Sequence, residues 1–415
     1  MFTRVPLSLA VLFGIALSGP ALSASTRPRH TVVLKRADLR LTDMNVAFDA
    51  RGELYVAYRD KGEKKKSSSL WVRVFDPASG KQLRATNIRI PEVSLPLGGG
   101  MRFAYTQLLL TPDSSVLVYA EFYSGHAFVV VLDATTLQKI SETTTLPAGA
   151  DRQFPEVISI SPDGRSLLIA AEKTNRLNGS DRRLIRLDTR DLSRVLSDVI
   201  LTNPVPSSFF RIGPNGEGWI VDGNKLYGYD PSTGKATLEL STGKDYSNLI
   251  RGVCFLADGS LVLWTDPTLR NELSYLYRWG RGGSAPLVSS RFEGCGVSEV
   301  SLSPNQIYAV ALCDRTSQSE LFAGATIVRK FFVFETKTLK PLFQLSFSQL
   351  RIFEYVHYEM ALWYDDGKIF LALLASSNKL RIYEFAAPRS GAPSAPAGPR
   401  DGSLRRRSVP GRGEH

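Results

Sequence analysis

Histidine and cysteine are scarce in this 415-residue chain, which contains four histidines and three cysteines. No two histidines have the spacing of a zinc site, and neither a His-Glu-x-x-His nor a Gly-x-Ser-x-Gly element occurs. This argues against the common zinc hydrolases and serine hydrolases. We interpret the four histidines as surface or packing residues, with His126 and His357 left open as isolated acid–base groups.

Long apolar runs are absent after the first residues, and no later stretch approaches the roughly 20 apolar residues that a spanning helix needs. The N-terminal segment has Arg4, a short apolar run over residues 7–18, a Gly-Pro break and then small residues. This pattern is typical of a signal peptide, which we place at residues 1–24. It predicts a secreted or periplasmic protein, the alternative being an uncleaved N-terminal anchor.

No concentrated basic stripe is present, although the chain has a net charge of +11. Nucleic-acid binding requires clustered cations interleaved with stacking aromatic residues, so we expect no nucleic-acid partner. Part of the charge lies in residues 389–415, a Pro-, Ala-, Gly- and Arg-rich segment with almost nothing apolar to bury. We predict that this tail is disordered and that residues 25–388 form the folded domain.

Two turn motifs recur along residues 25–388. Asp, Asn and Gly dominate both, because these residues tolerate positive φ or hydrogen-bond to their own backbone. The first motif recurs at residues 49–52, 112–114, 162–164, 214–216, 257–259, 304–305 and 365–367. The second recurs at residues 76–81, 133–137, 188–192, 230–235 and 335–339. Two different turns at matching offsets indicate a repeated supersecondary unit.

A short apolar strand follows each copy of the first turn, as at residues 54–58 and 167–171. Such runs are typical of strands buried on both faces. The repeat therefore predicts an all-β fold, a seven-bladed β-propeller. The last repeat supplies only three strands, so we expect residues 31–35 to pair beside residues 380–385 and close the ring as an N-terminal strand.

The two turns and the four-strand unit resemble the β-propellers of the WD-repeat and YVTN type, over roughly residues 31–388. The Gly-His and Trp-Asp pairs of WD repeats are missing, so the resemblance is to a divergent member. The resemblance implies a propeller fold and a role in binding partners, and it does not imply any particular activity.

The loops between the second and third strands share one face of a propeller with the loops that precede the first strands. Five of these loops are long in the sequence, at residues 61–69, 121–126, 173–182, 266–271 and 314–328. Long loops on a rigid scaffold commonly bind ligands, so this loop face is our candidate functional surface, the alternative being ordinary loop variation.

The first strand of each blade lines the central channel, and alignment of these strands by their turns places seven side chains near the channel mouth. They are Asn45, Gln107, Glu156, Ser208, Arg251, Glu299 and Glu359. The carboxylates of Glu156, Glu299 and Glu359 could hold a divalent cation, which prefers oxygen ligands. They could equally pair with arginines such as Arg251 and fill the channel. No other cofactor is expected.

The cysteines carry a structural prediction. Cys295 and Cys313 flank the turn at residues 304–305 at nearly equal distances. In an antiparallel hairpin this spacing places them roughly opposite each other, and an exported protein meets an oxidising compartment. We therefore predict a disulfide between them and interpret Cys254 as a buried free thiol.

The leading functional hypothesis is a monomeric binding module that takes a protein, glycan or small-molecule ligand on its loop face and at its channel mouth. It is favoured by a complete scaffold without a convincing catalytic set. The alternative is a metal-dependent propeller hydrolase or lyase of the lactonase type, which would use the three glutamates. A quinone-dependent dehydrogenase is disfavoured, because repeated tryptophans are too few and vicinal cysteines are absent.

Overall fold

The structure is a computed structural model in which the central part of the chain can be described. It describes residues 27–34, 44–61, 68–90, 105–123, 126–144, 154–161, 163–175, 179–200, 209–212, 218–229, 233, 235–242, 249–265, 273–280, 283, 285–293, 296–314, 329–347, 350, 358–375 and 379–387. The predicted signal peptide and tail lie outside these residues, and no described residues form a helix with the length and hydropathy of a membrane span.

Seven antiparallel sheets of four strands each are formed by the described residues, and we number them as blades in chain order. Blade 1 contains β2 (Met44–Phe48), β3 (Leu54–Lys61), β4 (Ser68–Phe75) and β5 (Gln82–Arg89). Blade 2 contains β6 (Tyr105–Leu110), β7 (Val116–Tyr123), β8 (His126–Asp133) and β9 (Lys139–Thr143). Blade 3 contains β10 (Phe154–Ile160), β11 (Ser166–Asn175), β12 (Gly179–Asp188) and β13 (Val195–Ile200). Blade 4 contains β14 (Phe209–Ile212), β15 (Gly218–Asp222), β16 (Lys225–Tyr229) and β17 (Ala236–Ser241).

The remaining blades repeat the same order, with one strand taken from the beginning of the chain. Blade 5 contains β18 (Ile250–Phe255), β19 (Leu261–Thr265), β20 (Leu273–Trp279) and β21 (Pro286–Glu293). Blade 6 contains β22 (Gly296–Leu302), β23 (Tyr308–Asp314), β24 (Arg329–Glu335) and β25 (Pro341–Ser346). Blade 7 contains β26 (Tyr358–Asp365), β27 (Lys368–Ala375), β28 (Lys379–Ala386) and β1 (His30–Val33). The all-β propeller prediction is confirmed.

The second strand of a blade is apolar throughout because its two faces pack against two different neighbours. In β3, Leu54, Val56 and Tyr58 belong to an apolar cluster shared with blade 7. The alternating residues Tyr55 and Ala57 belong to the cluster shared with blade 2. All five are fully buried, which explains why an uninterrupted apolar run, rather than an alternating one, marks each blade.

The turns have the conformations that their residues predict. Positive φ occurs in the first turn at Gly52 (83°), Gly164 (68°), Gly259 (79°) and Gly367 (75°). In the second turn Gly80 has φ of 68°, but the equivalent residues in blades 2 and 6 are leucines with positive φ and buried side chains, Leu137 and Leu339. At these leucines the cost of the strained backbone conformation is offset by the burial of an aliphatic side chain between blades.

Strand β1 pairs antiparallel with β28, placing Thr31 opposite Arg381 and Val32 opposite Leu380. Leu34 follows the strand and is fully buried in the cluster between blades 7 and 1. The ring of His30 lies 2.9 Å, Nε2 to O, from the carbonyl of Ala78 in blade 1. Strand β1 and the residues next to it therefore contact both blade 7 and blade 1.

Two of the five predicted loops are largely strand. Residues 173–175 and 179–182 extend β11 and β12, and residues 121–123 with His126 extend β7 and β8. The prediction of long loops at residues 173–182 and 121–126 was therefore wrong. The polar residues in these segments lie in hairpin ends that continue to hydrogen-bond, as Glu172 does opposite Arg182. Polar residues at these positions therefore belong to paired strands.

Candidate functional site

Six of the seven residues predicted at the channel mouth lie on first strands of blades. They are Asn45 (β2), Gln107 (β6), Glu156 (β10), Arg251 (β18), Glu299 (β22) and Glu359 (β26). Ser208 lies outside the described residues, as does the side chain of Glu156.

The six residues do not lie at the same height along the channel, as measured by their distance in sequence from the turn at the end of each first strand. Asn45, Gln107 and Glu299 each lie three residues before Phe48, Leu110 and Leu302, the last paired residues of their first strands. The other described members lie at other levels. Arg251 and Glu156 are the extra residues of β-bulges in β18 and β10, and Glu359 lies towards the start of β26, opposite Leu374.

A β-bulge in blade 6 explains part of this difference. The extra residue of β22 is Ser298, between the pairs Val297–Cys313 and Glu299–Leu312. Ser298, and not Glu299, is therefore the equivalent of Arg251 and Glu156. A bulge adds one residue to one strand and redirects the side chains around it, which an alignment by turns alone does not detect.

Glu299 and Glu359 form the central feature of the site. They lie on the first strands of neighbouring blades, and both are half-buried. Burial, followed by the negative charge of Glu299, raises the pKa of Glu359 to about 8. Two carboxylates in this arrangement share a proton near neutral pH or accept a cation between them. The pair of carboxylates is therefore a candidate site for a cationic group.

The amide of Asn45 forms a hydrogen bond between two blades. Its Nδ2 donates to Oγ1 of Thr106 in β6, at 2.8 Å, and the residue is buried. This hydrogen bond joins the first strands of blades 1 and 2. The side chain of Gln107, next to Thr106, is half-buried, whereas Arg251 is exposed.

A buried ion pair near the loop end of blades 1 and 2 was not predicted. Nε of Arg59 in β3 donates to Oε2 of Glu121 in β7, at 2.8 Å, and the carboxylate is fully buried. The hydroxyl of Tyr119 donates to the same oxygen, at 3.1 Å. The signal that could have found it is a glutamate inside the apolar strand 116–123, because a buried carboxylate needs a cation.

The described residues contain no group of three His, Cys, Asp or Glu side chains that could hold a metal ion. The side chain of Glu156 lies outside that part of the chain, so the predicted three-glutamate site stays a prediction. Cys313 is disulfide-bonded and buried in β23, whereas Cys254 forms no disulfide and is half-buried, so the prediction that its thiol is buried was wrong. Cys295, the predicted partner of Cys313, lies outside the described residues. Val297 is the residue directly opposite Cys313.

Comparison with known proteins gives the fold and little more. No family model and no curated protein matches the chain. A chain from the crystal structure of the mitotic checkpoint complex is similar, with a TM-score of 0.52, 13% identity, and 94% of this chain and 100% of that chain covered. The crystal structure of Raptor from Chaetomium thermophilum matches with a TM-score of 0.54 and 10% identity, over 88% of this chain and 29% of that chain.

A third similar structure is the C-terminal WD40 domain of Sif2, with a TM-score of 0.48, 11% identity, and 84% of this chain and 97% of that chain covered. Identities this low carry the fold alone. Together with the seven sheets and their repeated turns, the first two similarities show that the chain has a β-propeller fold.

Proposed function

We propose that this protein is an exported interaction module that binds a partner protein at the channel mouth, through a cationic group seated between Glu299 and Glu359. A propeller of the WD40-like type is commonly an interaction scaffold. The observation that supports this particular site is the placement of Glu299 and Glu359 on neighbouring first strands, where burial and then the charge of Glu299 raise the pKa of Glu359. A lysine or arginine side chain from a partner relieves that repulsion.

The proposal that the protein is exported rests on residues 1–24, which have the pattern of a signal peptide. We propose that residues 25–388 then form the folded domain of the mature protein and that this protein is a monomer. The oxidised state of Cys313 agrees with an oxidising compartment. N-terminal sequencing of the mature protein tests this part directly. A start near residue 25 is expected, and an intact Met1 in the mature protein would refute cleavage.

A second candidate is a divalent-cation site at the same carboxylates, with or without hydrolase or lyase chemistry. The same pair supports it, because Ca²⁺ and Mg²⁺ prefer carboxylate oxygens. The two candidates differ in what relieves the repulsion. A melting-temperature scan with Ca²⁺, Mg²⁺, Mn²⁺ and Zn²⁺ separates them, since a cation that binds only the folded state at about 100 times its Kd stabilises by about 2.7 kcal/mol.

The binding proposal is tested by site-specific photo-crosslinking in the producing cell. A photoreactive residue replaces exposed Arg251 at the mouth, and a matched one replaces Ile200, which is 58% exposed on the outer edge of blade 3. We expect discrete protein adducts at position 251 that disappear in the Glu299→Gln, Glu359→Gln double variant. Equal adducts at both positions, or adducts that persist in the double variant, would overturn the proposal. A glycan or small-molecule ligand would give no protein adduct.

We also infer that β1 closes the propeller by completing blade 7, so that the blades around the channel mouth form a continuous ring. The support is the pairing of β1 with β28, the buried Leu34 and the contact of His30 with Ala78. Neighbouring blades share apolar clusters at the described interfaces on both sides of this closure. A rigid ring would keep Glu299 and Glu359 close together despite their repulsion.

A further inference from the structure

Arg73 of β4 carries a positive charge on the side of blade 1 that faces blade 7. It lies opposite Val56 of β3, a member of the apolar cluster between these two blades. Its Cζ lies 4.8 Å from the ring centroid of Trp71 and 5.5 Å from that of Tyr58. The two rings fix the position of the guanidinium, whose N–H groups all point outward from its edge.

This guanidinium has one long hydrogen bond and no carboxylate partner within the described part of the chain. Nη1 donates to Oε1 of the exposed Gln82 at 3.4 Å, and the buried Nε has no hydrogen-bond partner there. The half-buried arginines Arg59, Arg84 and Arg278 each pair with a carboxylate. Arg73 is half-buried as well. Because a counter-ion stabilises a partly buried cation, an anion bound at Arg73 would be favourable.

No carboxylate of β4, β5 or β28 is available to Arg73. Its face of β4 and β5 also carries the pairs Ser69–Arg89, Trp71–Asn87 and Phe75–Gln82, none of which contains an acidic residue. On the facing side of blade 7, Glu384 of β28 lies opposite Phe370, a member of the cluster shared with blade 1. The carboxylate of Glu384 pairs with Arg29 and Lys368. A counter-ion for Arg73 therefore has to come from outside these three strands.

The guanidinium of Arg73 can be approached from the outer side of the blade. The residue opposite it on β5 is Ala85, which is exposed and has a side chain too small to cover it. Asn87, the next residue of β5 on the same face, is exposed, and its Nδ2 donates to Oγ of Ser69 at 3.0 Å. An amide nitrogen has two protons, so Asn87 can donate a second hydrogen bond.

We propose that Arg73 is the anchor of an oxyanion-binding site between blades 1 and 7, which takes a carboxylate, phosphate or sulfate group of a small ligand. Nη1 and Nη2 donate to two oxygens of the anion, in place of the long bond to Gln82. The rings of Trp71 and Tyr58 keep the guanidinium oriented for this contact. The site is separate from the channel mouth, because Arg73 lies on the third strand of its blade and the mouth residues lie on first strands.

The test titrates the full chain with sodium phosphate, sodium sulfate and sodium acetate, with the ionic strength held constant by sodium chloride. Tryptophan fluorescence follows binding, because the ring of Trp71 contacts the guanidinium, and calorimetry repeats the measurement. We expect saturable binding of at least one oxyanion. Arg73→Gln should weaken it about tenfold or more, and Arg73→Lys, which keeps the charge but loses the fork, by a smaller factor. Arg194→Gln is the matched control, since Arg194 has a side chain 68% exposed on blade 3.

The ranking of the anions identifies the group of the ligand: tighter acetate indicates a carboxylate, and tighter phosphate or sulfate indicates a tetrahedral anion. The absence of saturable binding of all three by the wild type would overturn the proposal, whether or not the variants fold. So would an unchanged affinity in Arg73→Gln or an equal loss in Arg194→Gln. The Glu299→Gln, Glu359→Gln double variant should bind the anions as the wild type does, which makes this result independent of the channel mouth.

Discussion

Replacing Glu359 by glutamine should remove a pH dependence from the stability of the propeller. In the folded chain, burial and the charge of Glu299 raise the pKa of Glu359 to about 8, from an ordinary value of 4.5. Between these two values the folded state holds a proton that the unfolded state has released. The free energy of unfolding of the wild type therefore falls as pH rises through this window, and the loss is complete above the folded pKa.

The size of the effect follows from the shift. One pKa unit corresponds to about 1.4 kcal/mol, so the full shift corresponds to roughly 4–5 kcal/mol. Residual solvent access to the half-buried carboxylate reduces this, and we expect a fall of about 3 kcal/mol between pH 5 and pH 9. Glu359→Gln has no such titration, so its stability should be nearly flat over this range and should exceed that of the wild type at pH 9.

Urea denaturation followed by tryptophan fluorescence at pH 5, 6, 7, 8 and 9 measures the effect. Glu299→Gln should show a smaller slope than the wild type but not zero, because it removes the neighbouring charge and leaves the burial. Glu142→Gln, at an exposed site on β9, is the control and should keep the wild-type slope. If the stability of Glu359→Gln depended on pH as strongly as that of the wild type, the paired-carboxylate geometry would be refuted. The proposed binding of a cationic group at the mouth would then lose its support.

Three further predictions concern the scaffold. Deleting residues 31–36 should lower the melting temperature sharply, and a wild-type melting temperature would contradict the role of β1 in closing the propeller. Arg59→Ala should destabilise by about 3–5 kcal/mol in urea, because it leaves the carboxylate of Glu121 buried without its cation. Gly52→Ala should lose more stability than Gly259→Ala, since both have positive φ but only the first places a Cβ against a tryptophan ring; equal losses in the two variants would show that backbone strain alone decides.

The turns and central strands were predictable because each is determined locally and repeated. Glycine at positions 52, 164 and 259 marks a positive φ directly. The central strands are buried on both faces, so each appears in the sequence as an uninterrupted apolar run. Such a run can be recognised as a central strand without knowing which blades pack against it. Leu137 and Leu339 were not predictable in this way, since a leucine adopts positive φ only when its burial compensates for the strain.

The height of each mouth residue along the channel could not be predicted from the sequence, because it depends on β-bulges in the first strands. Neither neighbour of Ser298, Val297 or Glu299, is a glycine or proline that would signal an extra residue. One inserted residue exchanges the two faces of the strand before it. The ion pair of Arg59 with Glu121 was hidden for another reason: its partners are 62 residues apart and meet only when two blades pack.

Bulges recur at one position of the outer strands, and they bear on how a protein with many sheet edges avoids aggregation. The extra residue is Leu83 in β5, Ile140 in β9, Leu196 in β13 and Leu287 in β21, and all four are exposed. A bulge twists the strand and breaks the regular ladder that another edge would need. Aliphatic side chains at these positions are tolerable because they are single and well separated rather than parts of one patch. In β5 the bulge protects only the beginning of the edge.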